Sequence, residues 1–413
     1  MEPAVDVFLK SVVKSGVLEA DDVKAAYQGI PREQRADPGT VADHFVRHGK
    51  LTRFQAKKLL GGAATGLVLG PFQILAPIGR GGMGAVFLAR DRRQKKLVAL
   101  KILPPKKAKR EERLLARFRR EMEMCSRVSH PNIASTFEVG VELGVYFIAM
   151  EFIPGRDLSK VVQEKGPLSV PRTARLFCEV ASALQHAHDK GLVHRDVKPS
   201  NIRVTPSDHA KLLDLGLALI EGEENVDREV AGGAGYIVGS MDYIAPEQTY
   251  DACAVDGRAD QYGMGCTMYY TLTGRPPFPG GTNKERIMRH RSDEPALITE
   301  RNPDVPARFA EIVHRMMAKK PELRYESDEA VRRELLPWVQ KDEPLPQDQA
   351  DEANFRQAVE RLQEADADDD LVAIPIPPYA GSVSPAMYLW VAGGVVGVWL
   401  FLMGIVLILA VLK

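Results

Sequence analysis

At 413 residues with 45% apolar side chains, the chain is long enough for two or three domains with cores of ordinary size, which argues against a wholly disordered protein. Lysine plus arginine equals aspartate plus glutamate at 55 each, so the charge balance gives no ground for a nucleic-acid partner. Four cysteines, Cys125, Cys178, Cys253 and Cys266, lie far apart with no CxxC pair, which argues against a disulfide framework or metal knuckle; we read them as buried apolar residues.

The N-terminus shows no basic stretch followed by an apolar core and a small-residue cleavage site, so nothing resembles a secretory signal. Residues 1–66 read as helices, with Val5, Phe8, Leu9, Val12 and Val13 at helical spacing. A weak repeat is visible: Val13-Lys14-Ser15-Gly16-Val17-Leu18 recurs 33 residues later as Val46-Arg47-His48-Gly49-Lys50-Leu51. Gly16 and Gly49 fall where a helix would end, and Thr52 with Gln55 forms a candidate capping box. The pattern predicts two packed helical hairpins without a catalytic constellation, suited to partner docking or self-association.

From Gly70 the pattern switches to alternating apolar stretches at residues 72–75, 85–89 and 97–103, which predict three antiparallel strands. The first two flank Gly79-Arg80-Gly81-Gly82-Met83-Gly84-Ala85-Val86. Glycines let a backbone close over phosphates and offer N–H groups to them. Dinucleotide-binding folds use the same spacing, but between a strand and a helix with an acidic residue downstream. Here the loop enters a strand, and the residue 17 beyond Gly84 is Lys101, which suits phosphate neutralisation. Glu121, in a basic helical stretch, is the candidate partner for its ammonium group.

Beyond Arg156 the chain reads as largely helical until about residue 340. It contains His194-Arg195-Asp196-Val197-Lys198-Pro199-Ser200-Asn201, followed thirteen residues later by Asp214-Leu215-Gly216. Phosphoryl transfer asks for a carboxylate to take a hydroxyl proton, cations on the phosphates and oxygen ligands for magnesium, and each has a residue here. Residues 341–385 are first acidic and then proline-rich, as a solvated linker would be. Residues 387–412 carry no charge. At the helical rise they span roughly 39 Å against a hydrocarbon core of about 30 Å, which predicts a transmembrane helix.

Over about 265 residues these motifs resemble, in order, the signature set of the eukaryotic-type serine/threonine protein kinases, most closely bacterial membrane-anchored members. The resemblance implies an α+β fold: a two-lobed kinase domain at 72–338 with an antiparallel-sheet N-lobe and a helical C-lobe. A small all-α module (1–66) precedes it, and the linker and one C-terminal transmembrane helix follow. It implies ATP and Mg2+ as cofactors. Gly79, Arg80, Gly81, Gly82, Met83, Gly84 and Val86 would cover the phosphates, Lys101 would hold the α- and β-phosphates, and Glu121 would orient Lys101. Backbone groups of Glu151 and Ile153 would meet adenine, and Asp157 the ribose. Asp196 would be the catalytic base, Lys198 would neutralise the γ-phosphate, and Asn201 with Asp214 would hold magnesium. Glu247, closing Ala245-Pro246-Glu247, would pair with Arg324, and Asp260 would tie the catalytic loop to a buried helix. Partners would be protein substrates and the membrane, with the kinase domain cytoplasmic.

Three departures stand out. Leu215 replaces the usual phenylalanine, Ser240 replaces a threonine, and residues 216–239 contain no serine or threonine, so Tyr236 is the one hydroxyl near the usual acceptor position. A pseudokinase scaffold would lack the lysine, the base or the magnesium aspartate, and all three are present. A small-molecule kinase would lack the peptide-positioning stretch at 239–247.

Overall fold

A computed structural model describes residues 4–339 except 81–83, 104–114, 116–117, 120–121, 123–127, 214–218, 221–240 and 252–254. The expected linker and the expected membrane helix at 387–412 lie outside the described residues. Among the described residues, no helix is long and apolar enough to cross a membrane.

The N-terminal segment forms helices α1 (Val5–Lys14), α2 (Ala20–Gln28), α3 (Pro38–Arg47) and α4 (Arg53–Leu60). Their apolar stripes converge on Phe8, Val12, Val41, Phe45 and Leu59, all fully buried. Gly16 and Gly49 end α1 and α3 with φ of +71° and +66°. The capping box at α4 is present: Gln55 N–H donates to Thr52 Oγ1 at 3.1 Å, and Thr52 N–H donates to Gln55 Oε1 at 2.9 Å. The same two side chains reach the following sheet, with Thr52 Oγ1 donating to the Leu75 carbonyl at 2.6 Å and Gln55 Nε2 to the Ile74 carbonyl at 2.7 Å. Leu67 and Val68 complete the helical core, while Phe54 packs against both cores. Packing therefore runs without a break through residue 66.

Six antiparallel strands form the first lobe: β1 (Val68–Leu69), β2 (Phe72–Arg80), β3 (Ala85–Asp91), β4 (Lys96–Leu103), β5 (Thr136–Glu142) and β6 (Val145–Glu151), in the order β1-β2-β3-β4-β6-β5. The three strands read from sequence are present and longer than expected; β1 and β5 went unrecognised. Phe72, Ile74, Phe87, Leu100, Ile102 and Phe147 make one buried face.

The second lobe is helical, with α5 (Leu158–Lys165), α6 (Val170–Asp189), α7 (Arg258–Thr273), α8 (Asn283–Ser292), α9 (Ile298–Arg301), α10 (Ala307–Met316) and α11 (Asp328–Leu335). Every residue of α7 from Ala259 to Leu272 is buried, so this helix is enclosed on all sides and serves as the lobe's axis. Short strands lie against α5 and α6: β7 (Arg156–Asp157), β9 (Ile202–Val204) and β10 (Ala210–Leu212) form one sheet, and β8 (Leu192–Val193) pairs with β11 (Leu219–Ile220). Cys178 and Cys266 are buried as expected, and burial pushes their thiols up to about 11 and about 12. Cys125 and Cys253 lie outside the described residues.

Candidate active site

The loop carrying Asp196 runs between β8 and β9, and α7 dictates its shape. Asp260, fully buried on α7, accepts the His194 N–H at 2.8 Å and the Arg195 N–H at 2.7 Å, which is the tie expected from the sequence. Arg195 sits at φ +65°, a left-handed conformation that costs a residue with a Cβ about 1 kcal/mol or more. Its carbonyl is held as well, accepting from Gln248 Nε2 at 2.9 Å. Both backbone groups of the strained residue are thus fixed from outside the loop. Sequence reading missed Gln248, although it directly follows Ala245-Pro246-Glu247.

On this backbone three expected residues come together. Lys198 Nζ donates to Asp196 Oδ2 at 2.6 Å, and Asn201 Nδ2 donates to the same oxygen at 3.1 Å and to the Asp196 carbonyl at 2.9 Å. Asp196 keeps 11% side-chain exposure and Lys198 22%, so both can meet a substrate. The amide nitrogen of Asn201 is engaged by Asp196, so Oδ1 is the atom it can offer a cation. Asp214 lies outside the described residues, but its neighbour Leu213 does not. The Leu213 N–H donates to the Asn201 carbonyl at 2.8 Å, and the Leu213 carbonyl lies 3.0 Å from His194 Nε2. The chain thus enters the Asp214 segment beside Asn201.

In the sheet lobe, Lys101 lies on β4 between Val86 on β3 and Ile148 on β6 in register, and is 5% exposed. Its expected partner Glu121, the residues Gly81, Gly82 and Met83, and the side chain of Arg80 lie outside the described residues. Gly79 and Gly84 are the described ends of the loop. A Cβ on Gly84 would fall onto the Ile102 carbonyl, so this close approach of β3 to β4 requires glycine.

At the lobe junction, the Glu151 N–H donates to the Ser135 carbonyl at 2.8 Å and the Ile153 carbonyl accepts from Arg203 at 3.2 Å. Those two bonds fix the backbone at both residues from which the adenine contacts are expected. Asp157 caps α5, with Oδ1 accepting from the Lys160 N–H at 2.9 Å. That capping role was legible in Asp157-Leu158-Ser159-Lys160 and was not read.

Below the cleft, Arg324 and Glu247 form the expected pair, with Nη1 to Oε1 at 2.5 Å and Nη2 to Oε2 at 2.8 Å. The Arg324 guanidinium is fully buried and also donates to the Arg258 carbonyl at 2.7 Å, anchoring the segment after Tyr243 to α7.

Comparison with known proteins agrees with this geometry. The family profile described as a protein kinase domain matches residues 72–336. The chain is 37% identical over 271 residues to the serine/threonine-protein kinase pkn3 of Myxococcus xanthus, covering 64% of this chain and 49% of that protein. It is 34% identical over 268 residues to PrkC of Bacillus subtilis, covering 65% and 40%. With PknD of Mycobacterium tuberculosis it shares 35% identity over 263 residues, covering 63% and 39%. The matches thus span about half or less of the length of these curated relatives. With its family profile matched across well over half of its length, this chain belongs to the protein kinase domain family.

Proposed function

We propose that the chain is an ATP-dependent protein serine/threonine kinase, with MgATP and a protein hydroxyl as its substrates. The observation that carries this is the cluster Asp196–Lys198–Asn201 on a loop whose backbone is fixed by Asp260 and Gln248. Asp196 accepts the proton of the attacking serine or threonine hydroxyl. The new O–P bond forms to the γ-phosphorus as the bond to the β,γ-bridging oxygen breaks, and ADP leaves. Lys198, close to that carboxylate, is the cation that meets the γ-phosphate as charge redistributes over its oxygens. Asn201 Oδ1 with Asp214 would hold magnesium, and Lys101, oriented by Glu121, would hold the α- and β-phosphates. The choice of serine and threonine rests on Lys198 two positions after the base, and the relatives carry the name serine/threonine kinase. The test is transfer of labelled phosphate from ATP to a generic protein by the full chain: acid-stable label on serine or threonine supports the reading, and equal labelling by Asp196→Asn contradicts it.

Residues 387–412 serve as a single membrane anchor with the kinase domain on the cytoplasmic side, where ATP is. The acidic flank at Asp366 to Asp370 gives no lysine and arginine excess to set orientation, so the orientation rests on the need for ATP. Removal of the kinase domain by protease added outside intact cells would overturn it. Residues 1–66 bring a partner or a second copy to this membrane-anchored signalling enzyme.

A further inference from the structure

Behind the catalytic loop, away from the cleft, lies a buried charge cluster that the phosphotransfer reading does not use. His188, near the end of α6, sits between two carboxylates that are both fully buried. Its Nε2 is 2.7 Å from Asp260 Oδ2, and its Nδ1 is 2.6 Å from Asp328 Oδ2. A carboxylate oxygen against each ring nitrogen favours a proton on both, that is, an imidazolium ring. A neutral ring would set a lone pair against a carboxylate inside the protein. Asp328 is fully buried and His188 is its ion-pair partner, so His188 is the charge that compensates it. Its place at the first position of α11, after the Ser327 cap, adds the favourable end of the helix dipole. The site is also shaped for the ring: a Cβ on Gly257 would lie 2.5 Å from His188 Nδ1.

The connection to chemistry runs through Asp260. The oxygen that receives His188 Nε2 is the oxygen that accepts the His194 N–H, and its twin accepts the N–H of the strained Arg195. We propose that Asp328 is a positioning residue for phosphotransfer: it holds His188 as a doubly paired cation, His188 fixes Asp260, and Asp260 fixes the backbone that presents Asp196. The proposal rests on the reading of Asp196 as the base.

The directions for His188 and Asp260 agree, whereas burial pushes the Asp328 carboxyl above the usual range against the pull of His188. Burial opposes charge on His188, but Asp328 and Asp260 outweigh it and hold the ring protonated well above the usual imidazole range. Burial likewise opposes ionisation of Asp260, and the His188 hydrogen bond and charge keep its carboxyl below the usual range. The charged and titratable groups around the ring are Asp260 from α7, Asp328 from α11 and, farther off, His194 and Asp189. A protonated ring whose folded value is raised stays competent below that value and fails as pH rises through it. Removing the Asp328 charge lowers the value and draws this failure toward neutral pH.

The test compares the full chain with Asp328→Asn, which keeps the volume, and with Gly257→Ala, which crowds the ring without changing a charge. In both variants kcat should fall at least tenfold at pH 7.5 while KM for MgATP stays within about threefold. In Asp328→Asn the alkaline fall of kcat should begin at lower pH than in the wild type. Amide hydrogen exchange at His194 and Arg195 should quicken at least tenfold in both, with α10 unchanged. Two folded variants with wild-type kcat and wild-type exchange at those amides would overturn the proposal, as would exchange that quickens equally throughout the C-lobe. If the wild-type chain transfers no phosphate, the kinase reading fails, and exchange at His194 and Arg195 still decides whether Asp328 positions the loop.

Discussion

Replacing Arg324 with alanine breaks a buried, two-bond ion pair. Its guanidinium is fully buried, binds Glu247 through two parallel bonds of 2.5 and 2.8 Å, donates to the carbonyls of Ala318 and Arg258, and lies 5.0 Å from the centre of the Tyr262 ring. Glu247 is only 19% exposed, so truncation of Arg324 strands a mostly buried carboxylate. Breaking a buried pair from one side costs about 3–5 kcal/mol. At about 2–4 °C per kcal/mol for a domain of this class, the melting temperature should fall by roughly 6–20 °C. Differential scanning fluorimetry and urea melts of Arg324→Ala, Glu247→Gln and the double variant would measure it. The double variant should cost at least about 1 kcal/mol less than the sum of the singles, because removing both partners leaves no orphaned charge. A loss under about 1 kcal/mol, the size found for exposed pairs, or strict additivity would refute the reasoning.

Other outcomes follow from the same geometry. Asp196→Asn should lower phosphotransfer by about a hundredfold or more while MgATP binding, followed by calorimetry, stays near the wild-type value. Gly84→Ala drives a Cβ into the Ile102 carbonyl and should cost roughly 1–3 kcal/mol in a melt and loosen the phosphate loop; an unchanged melt and unchanged MgATP affinity would contradict it. Gln55→Ala removes a buried bond to the Ile74 carbonyl and should destabilise the sheet lobe by about 1–3 kcal/mol, whereas an effect confined to residues 4–60 in hydrogen exchange would show the helices to be independent. Burial and the nearby Lys319 press the His290 ring down to about 3, so the unfolded chain takes up its proton first as pH falls from 6.5. Stability should fall by up to about 1.4 kcal/mol per pH unit across that window, and His290→Gln should flatten this slope; an identical slope would refute it.

The chemistry was legible in the sequence because it is local. Asp196, Lys198 and Asn201 lie within six residues, and one short loop brings them together. The same holds for the capping box at Thr52, whose spacing is its geometry. Elements set by tertiary packing were harder to read. Strand β5 carries Phe137, Val139 and Val141 on an exposed face, so its alternation gives no sign of a buried side. The boundary at residue 66 looked like a domain edge because the period changes there, yet Thr52, Phe54 and Gln55 bind across it. The His188 cluster was invisible for a plainer reason. Its members stand 72 and 140 residues apart in sequence, and each alone reads as one more polar residue on a helix. Asp214, Glu121 and Tyr236 lie outside the described residues and remain assignments from the resemblance.

The central claim is that the Asp196 cluster transfers phosphate from ATP to protein hydroxyls. Incubation of the purified full chain with γ-labelled ATP, magnesium and a generic protein substrate, beside the Asp196→Asn chain, tests it most directly. Label should appear on serine and threonine with the wild-type chain and be about a hundredfold weaker with the variant. Equal labelling by both chains, or none by the wild type while MgATP binds, would contradict it.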